Sequence, residues 1–153
     1  MRLWHKSLIP YLPKSQLLGQ WRECVSIAKN IKEKGYPNHI LVNPVINYDI
    51  SHFYSYCRIV YNEMVNRGYN VNWNKLEKWL SSINYTNNNI KFNNLFKNWH
   101  NDIYLRQCLY NLEEKFMRGG IPSEEWLLVQ VQFGEEFALV DSLYTEKHEE
   151  VVQ

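Results

Sequence analysis

Within "QLLGQWREC", residues 16 to 24, an arginine and a glutamate stand side by side as Arg22 and Glu23, with Gly19 one turn before the acid. A guanidinium can hold a phosphate, and a carboxylate can stabilise a cation or take a proton. A solvated helix face explains most such pairs, so the surrounding residues must decide. Other chemistries are poorly represented. His5, His39, His52, His100 and His148 never fall at zinc-ligand spacing with one another or with Cys24, Cys57 and Cys108. There is no glycine-rich phosphate loop and no Gly-x-Ser-x-Gly. No metal or other cofactor is implied.

The elements that must position Arg22 and Glu23 are helical. An extended N-terminal arm, broken by Pro10 and Pro13, precedes a helix expected over Ser15–Lys34, with Ser15 as N-cap and Gly35 as stop. Leu17, Leu18, Trp21, Val25 and Ala28 share one side of it. Gln16, Gly19, Glu23, Ser26 and Asn30 share the other, which places Glu23 away from the core stripe. Residues 37–50 read as a loop. A second helix is expected over Ser51–Arg67, buried through Phe53, Cys57, Val60 and Met64 and ended by Gly68. A shorter helix over Asn74–Ile83 and an Asn-rich link, "NYTNNN", follow. The third long helix is expected over Asn98–Arg118, where Leu105, Leu109, Leu112 and Phe116 form one face. "WLLVQVQF", residues 126 to 133, is ambiguous: a helix start precedes it, yet Val129, Val131 and Phe133 alternate like a strand.

The fold class is therefore all-α: a compact single domain of three long helices over residues 1–120, with an acidic C-terminal extension over 121–153. The charge divides at the same point. Residues 1–120 hold 16 Lys+Arg against 8 Asp+Glu, a balance of +8; residues 121–153 hold one Lys against 8 acids, a balance of −7. A basic body is the electrostatic precondition for binding phosphates. The extension is expected to be solvated, or else to pack against the basic surface or compete with DNA for it, with "WLLVQVQF" too apolar to stay undocked. Six Trp, eleven Tyr and six Phe suit a core or base stacking equally, with Trp4 and Trp21 assigned to the core. Three dispersed cysteines, no apolar run long enough for a signal peptide and no membrane-length segment fit a cytoplasmic, nucleoid-associated protein with no membrane partner.

The arm, Leu12, Leu17-Leu18 and "WRE" at residues 21 to 23 resemble, in their register, the pyrimidine-dimer DNA glycosylase family. "RGYNV" (Arg67 to Val71) and "LEEK" (Leu112 to Lys115) are fainter matches, and the likeness spans about residues 1–120. It implies an all-α repair enzyme acting on damaged duplex DNA, which cuts the glycosidic bond of a pyrimidine lesion and then nicks the strand. The nucleophile in that family is the chain's α-amine, here at Met1; the essential carboxylate is Glu23, and Arg22 holds DNA. Arg2, His5 and Lys6 on the arm become further DNA contacts. So does Gln16, which stands where the family pattern has a histidine. Residue 2 is arginine where the pattern has a small residue, and Ser26 replaces a basic one. A catalytically silent DNA-binding or protein-interaction module on the same scaffold is the alternative reading.

The implied chemistry suits these groups. An α-amine, with a reference pKa near 7.7–8.0, is about a tenth neutral at pH 7, far more than a lysine near 10.4. Attack at C1′ leaves an iminium that acidifies the C2′ proton, and a neighbouring carboxylate can remove it.

Overall fold

The computed structural model describes residues 1–81 and 89–137, and all regular structure among them is helical. The α-helices are α1 (Lys14–Lys34), α2 (Ile50–Asn66), α3 (Asn74–Leu80), α4 (Asp102–Met117) and α5 (Ser123–Gln132). Helices α2 and α3 both pack on α1, and the N-terminal segment lies across α2. One cluster of buried side chains runs from Leu3 to Phe133.

The N-terminal arm departs from the expected extended form. Lys6–Tyr11 winds into a 3-10 helix that contains Pro10. The fixed φ of proline is compatible with that geometry, and the carbonyls left at its end are taken by Arg67. The Arg67 guanidinium donates to Leu12 O at 2.8 Å and Pro10 O at 3.1 Å, while its Nε pairs with Glu63 at 2.8 Å. Arg67→Ala should cost about 2–3 kcal/mol, the scale of charge-assisted hydrogen bonds left unmade, read as a lowered urea midpoint.

Helix α1 begins one residue earlier than expected, and Ser15 is not its cap. Pro13 holds the N-cap position without a side-chain bond. The Lys14 N–H instead donates to Glu125 Oε1 on α5 at 2.6 Å, placing a carboxylate where the helix dipole favours it. Gly35, at φ 84°, ends α1 by donating to Ile31 O at 3.0 Å. The buried stripe is Leu17, Gln20, Trp21, Cys24, Ile27 and Ala28, with Leu18 and Val25 only half-buried.

Helix α2 buries Phe53, Cys57, Val60 and Met64 as the spacing predicts, and starts at Ile50 because Asp49 caps it through the Ser51 N–H. Helix α3 ends at Leu80; residues 82–83 of its expected span, and 84–88 of the Asn-rich link, lie outside the described residues. Helix α4 starts at Asp102 rather than Asn98. Asn101 caps it by accepting the Tyr104 N–H at 2.9 Å, and Asn98, at φ 74°, cannot belong to a right-handed helix.

"WLLVQVQF" is helical. Trp126, Val129 and Phe133, spaced three and four apart, are buried, while Leu127, Leu128 and Val131 are exposed. Trp126 stacks on Phe116 at 5.3 Å, and Phe133 meets Tyr11 edge-on at 5.6 Å. The expected docking of residues 126–133 is thus met. Positions 138–153 of the acidic extension lie outside the described residues.

Candidate active site

The arm is fixed to the helices at nearly every backbone group. The Arg2 N–H points at Glu23 Oε2 at 3.4 Å, and Arg2 O accepts from Gln20 Nε2 at 3.0 Å. Leu3 O accepts from the Tyr104 hydroxyl. The Trp4 N–H donates to Gln20 Oε1 at 2.7 Å, and Trp4 O accepts from the Tyr56 hydroxyl at 2.6 Å. The Lys6 N–H donates to His100 Nδ1 at 3.0 Å. A buried segment such as residues 3–6 needs this full accounting of its polar groups. Its effect is to hold the Arg2 backbone against Gln20 and Glu23 of α1.

Gln20 is the centre of that arrangement and was not legible as such. It is fully buried, accepts from Trp4 and from Tyr56 (2.9 Å), and donates to Arg2 O and to Glu23 Oε2 at 3.3 Å. Its place three residues after Leu17 and four before Cys24 puts it within the core stripe, which is the signal that identifies it. Tyr56 and Tyr104 are held protonated by burial, so each remains a hydrogen-bond donor to the arm.

The sequence-derived candidates separate into groups. Glu23 is half-buried and Arg22, the residue before it on α1, is exposed. Met1 is 38% exposed and lies one residue from the Arg2 N–H that faces Glu23. Arg2 is half-buried, its guanidinium 5.8 Å from the Trp4 ring. A methyl group built on Gly19 would come within 4 Å of only the Arg22 guanidinium, so that turn of α1 stays open.

His5 and Lys6 are turned inward, against the expectation that they face phosphates. Lys6 Nζ donates to Phe92 O at 2.6 Å and Leu95 O at 2.8 Å, and burial lowers its pKa. His5 stacks on His100 at 5.2 Å and accepts from the Ser7 N–H, and burial lowers its pKa to about 4. Both sit under 10% exposed, because the 3-10 turn winds them into the core. Gln16 lies seven residues before Glu23, about 10 Å along the helix, and borders a separate cleft with Glu114, Lys115 and Arg118 at the end of α4. Trp4 and Trp21 are core residues, and the three cysteines are buried free thiols. Among the described residues no cluster of His, Cys, Asp and Glu could hold a metal ion, and no helix is long and apolar enough to cross a membrane.

A carboxylate on a helix face with the Arg2 backbone nitrogen held against it, among described residues that are all helical in their regular structure, is the arrangement that a family assignment has to explain. Residues 1–77 match the family described as pyrimidine dimer DNA glycosylase, and the chain belongs to that family. The matched segment contains the arm, α1, α2 and most of α3, and so every residue placed at the site above except Tyr104 and His100. The family is one of DNA repair glycosylases, and its substrate is DNA. No curated protein and no solved structure matches the chain.

Proposed function

We propose that this protein excises damaged pyrimidines from duplex DNA and then cleaves the abasic strand, with an α-amine at Met1 as nucleophile and Glu23 as the essential carboxylate. The observation that carries the reading is the placement of the Arg2 N–H at 3.4 Å from Glu23 Oε2, locked by Gln20. A chain starting at Met1 carries its amine one residue from that point. The neutral amine attacks C1′, and the base departs with the bonding electron pair and gains a proton from solvent. The nitrogen, having lost one proton, then expels O4′, which leaves with the C1′–O4′ bonding pair and takes up a proton, so that the opened sugar is held as an iminium. Glu23 then removes a C2′ proton, the 3′ phosphate leaves by β-elimination, and water releases the amine.

Borohydride reduction in the presence of abasic-site duplex tests this reading. It should trap a covalent complex whose cross-linked peptide contains residue 1. Failure to trap any complex would instead favour a silent DNA-binding module.

Arg22 is assigned to a phosphate because it is exposed and adjacent to Glu23. Affinity for abasic duplex should fall with salt by about one unit of log–log slope per neutralised phosphate. Arg22→Ala should lower both affinity and that slope, by about one unit if it neutralises a single phosphate. An unchanged slope would remove Arg22 from the interface.

A further inference from the structure

The amide of Gln20 has one orientation open to it. The Trp4 N–H, 2.7 Å away, can only donate, so the atom it meets is the Gln20 oxygen. The Tyr56 hydroxyl reaches the same oxygen at 2.9 Å. The amide nitrogen is thereby turned the other way, toward Arg2 O at 3.0 Å and Glu23 Oε2 at 3.3 Å. Both lone pairs and both N–H groups are used, in a side chain that is 1% exposed.

We propose that Gln20 is the positioning residue of the active site, holding the arm and the Glu23 carboxylate in one register, an inference that rests on the glycosylase reading above. The backbone of Arg2 is gripped at both polar groups: its N–H faces Glu23 Oε2 at 3.4 Å while its C=O accepts from Gln20. Gln20 and Glu23 stand three residues apart on α1, and so project from neighbouring places on one turn. Arg2, Gln20 and Glu23 therefore close a ring of contacts, and a shift of any one displaces the other two. An amine on residue 1 takes its place from the Arg2 N–H. Among the described residues both hydrogen bonds to the Glu23 carboxylate fall on Oε2. Oε1 is the oxygen left for the C2′ proton.

Position 20 has to carry an amide for this. A carboxylate of the same length would still accept from Trp4 and Tyr56, but it would turn an oxygen onto Arg2 O and Glu23 Oε2, where two donors are needed. An apolar side chain of the same length would make none of the four bonds. Through this one group the arm, α2 by way of Tyr56, and the carboxylate on α1 are coupled.

The test compares Gln20→Glu and Gln20→Met with the unsubstituted protein on an abasic-site duplex, in single turnovers with the protein in saturating excess. Rate constants measured in this way report the folded, bound protein, and a smaller folded fraction changes the amplitude instead. Iminium formation, read by borohydride trapping, and strand cleavage should both slow at least about tenfold in each variant, the scale of lost alignment between reacting groups. Affinity for the duplex should stay within about threefold, as expected when only the chemical steps are affected. In Gln20→Glu a second carboxyl beside Glu23 disfavours ionisation of the pair, so the acid limb of the strand-cleavage rate should also rise by at least about one pH unit. In Gln20→Met that limb should not move, and the charged residues flanking the pair, Arg2 and Arg22, are the same in both variants.

A role confined to packing would lower the urea midpoint while leaving the rate constants and the acid limb in place, and that result overturns the proposal. Weakened affinity at unchanged rates also overturns it, by making Gln20 a support of the DNA surface. If Gln20→Glu does not fold, Gln20→Met, which buries no charge, decides by its rate constants alone. If the unsubstituted protein fails to trap abasic DNA, the glycosylase reading itself falls, and this proposal with it.

Discussion

Glu23→Gln should reduce cleavage of an abasic-site duplex at least about 100-fold, the usual loss when an acid–base group is removed. The substitution is well controlled by its surroundings. Glu23 accepts from the Arg2 N–H and from Gln20 Nε2 through one oxygen, and a glutamine carbonyl can accept both. Glu23 is also only half-buried, so the fold should survive and the arm should stay docked. On the proposed mechanism, what disappears is the negative charge beside the cationic sugar and the base for C2′. The two losses are separable in a single turnover: iminium formation, read by borohydride trapping, should be less affected than the elimination that follows. Cleavage at the normal rate would remove Glu23 from the mechanism.

Acid should destabilise the fold well above the pH at which carboxylates titrate. His5 and His100 stack on each other inside the protein, and burial lowers their pKa values from 6.5 to about 4 and about 2. For His100, the neighbouring His5 and Lys6 push further in the same direction. Both imidazoles are thus neutral in the folded protein down to about pH 4, whereas the unfolded chain protonates them near 6.5. Their contribution is fully present above 6.5. It is lost as pH falls, down to about 4 for His5 and about 2 for His100. Each histidine adds about 1.4 kcal/mol per pH unit within its window. Between pH 7 and pH 5 the pair should remove about 4 kcal/mol, a large share of an ordinary domain's stability. Urea unfolding at the two pH values measures this directly. His100→Asn keeps an acceptor for the Lys6 N–H and should cancel about half of the pH dependence. Equal stability at pH 7 and pH 5 would contradict the burial of both rings.

What could be read from the sequence was local. Gly35 and Gly68 stop α1 and α2 where expected, and the Phe53–Cys57–Val60–Met64 spacing identifies the buried side of α2. The core role of Trp4 and Trp21 and the burial of the three cysteines were equally plain. Periodicity misplaced the α1 stripe slightly, because it counts apolar residues and Gln20 is polar. A glutamine is buried only when partners are ready for it, and two of these, Trp4 and Tyr56, lie 16 and 36 residues away. Lys6 and His5 failed as surface contacts for the same reason. Their neighbours Phe92, Leu95 and His100 come from the far half of the chain, and no local pattern signals them. The strand-like alternation in "WLLVQVQF" lost to a helix because Trp126, Val129 and Phe133 find Phe116 and Tyr11 to pack on.

The docking of the arm also orders events during synthesis. Residues 2–6 are made before the residues they bond, and their hydrogen-bond partners reach as far as His100 and Tyr104. At about 5–20 residues per second, those partners follow some 5–20 s later. Helices α1 and α2 can pair in the interval, but the segment that faces Glu23 has no complete seat until residue 104 has emerged. A nascent or prematurely ended chain therefore presents the Arg2 backbone and Glu23 without the full set of hydrogen bonds that joins them, and the site proposed here is completed only once most of the chain has been made.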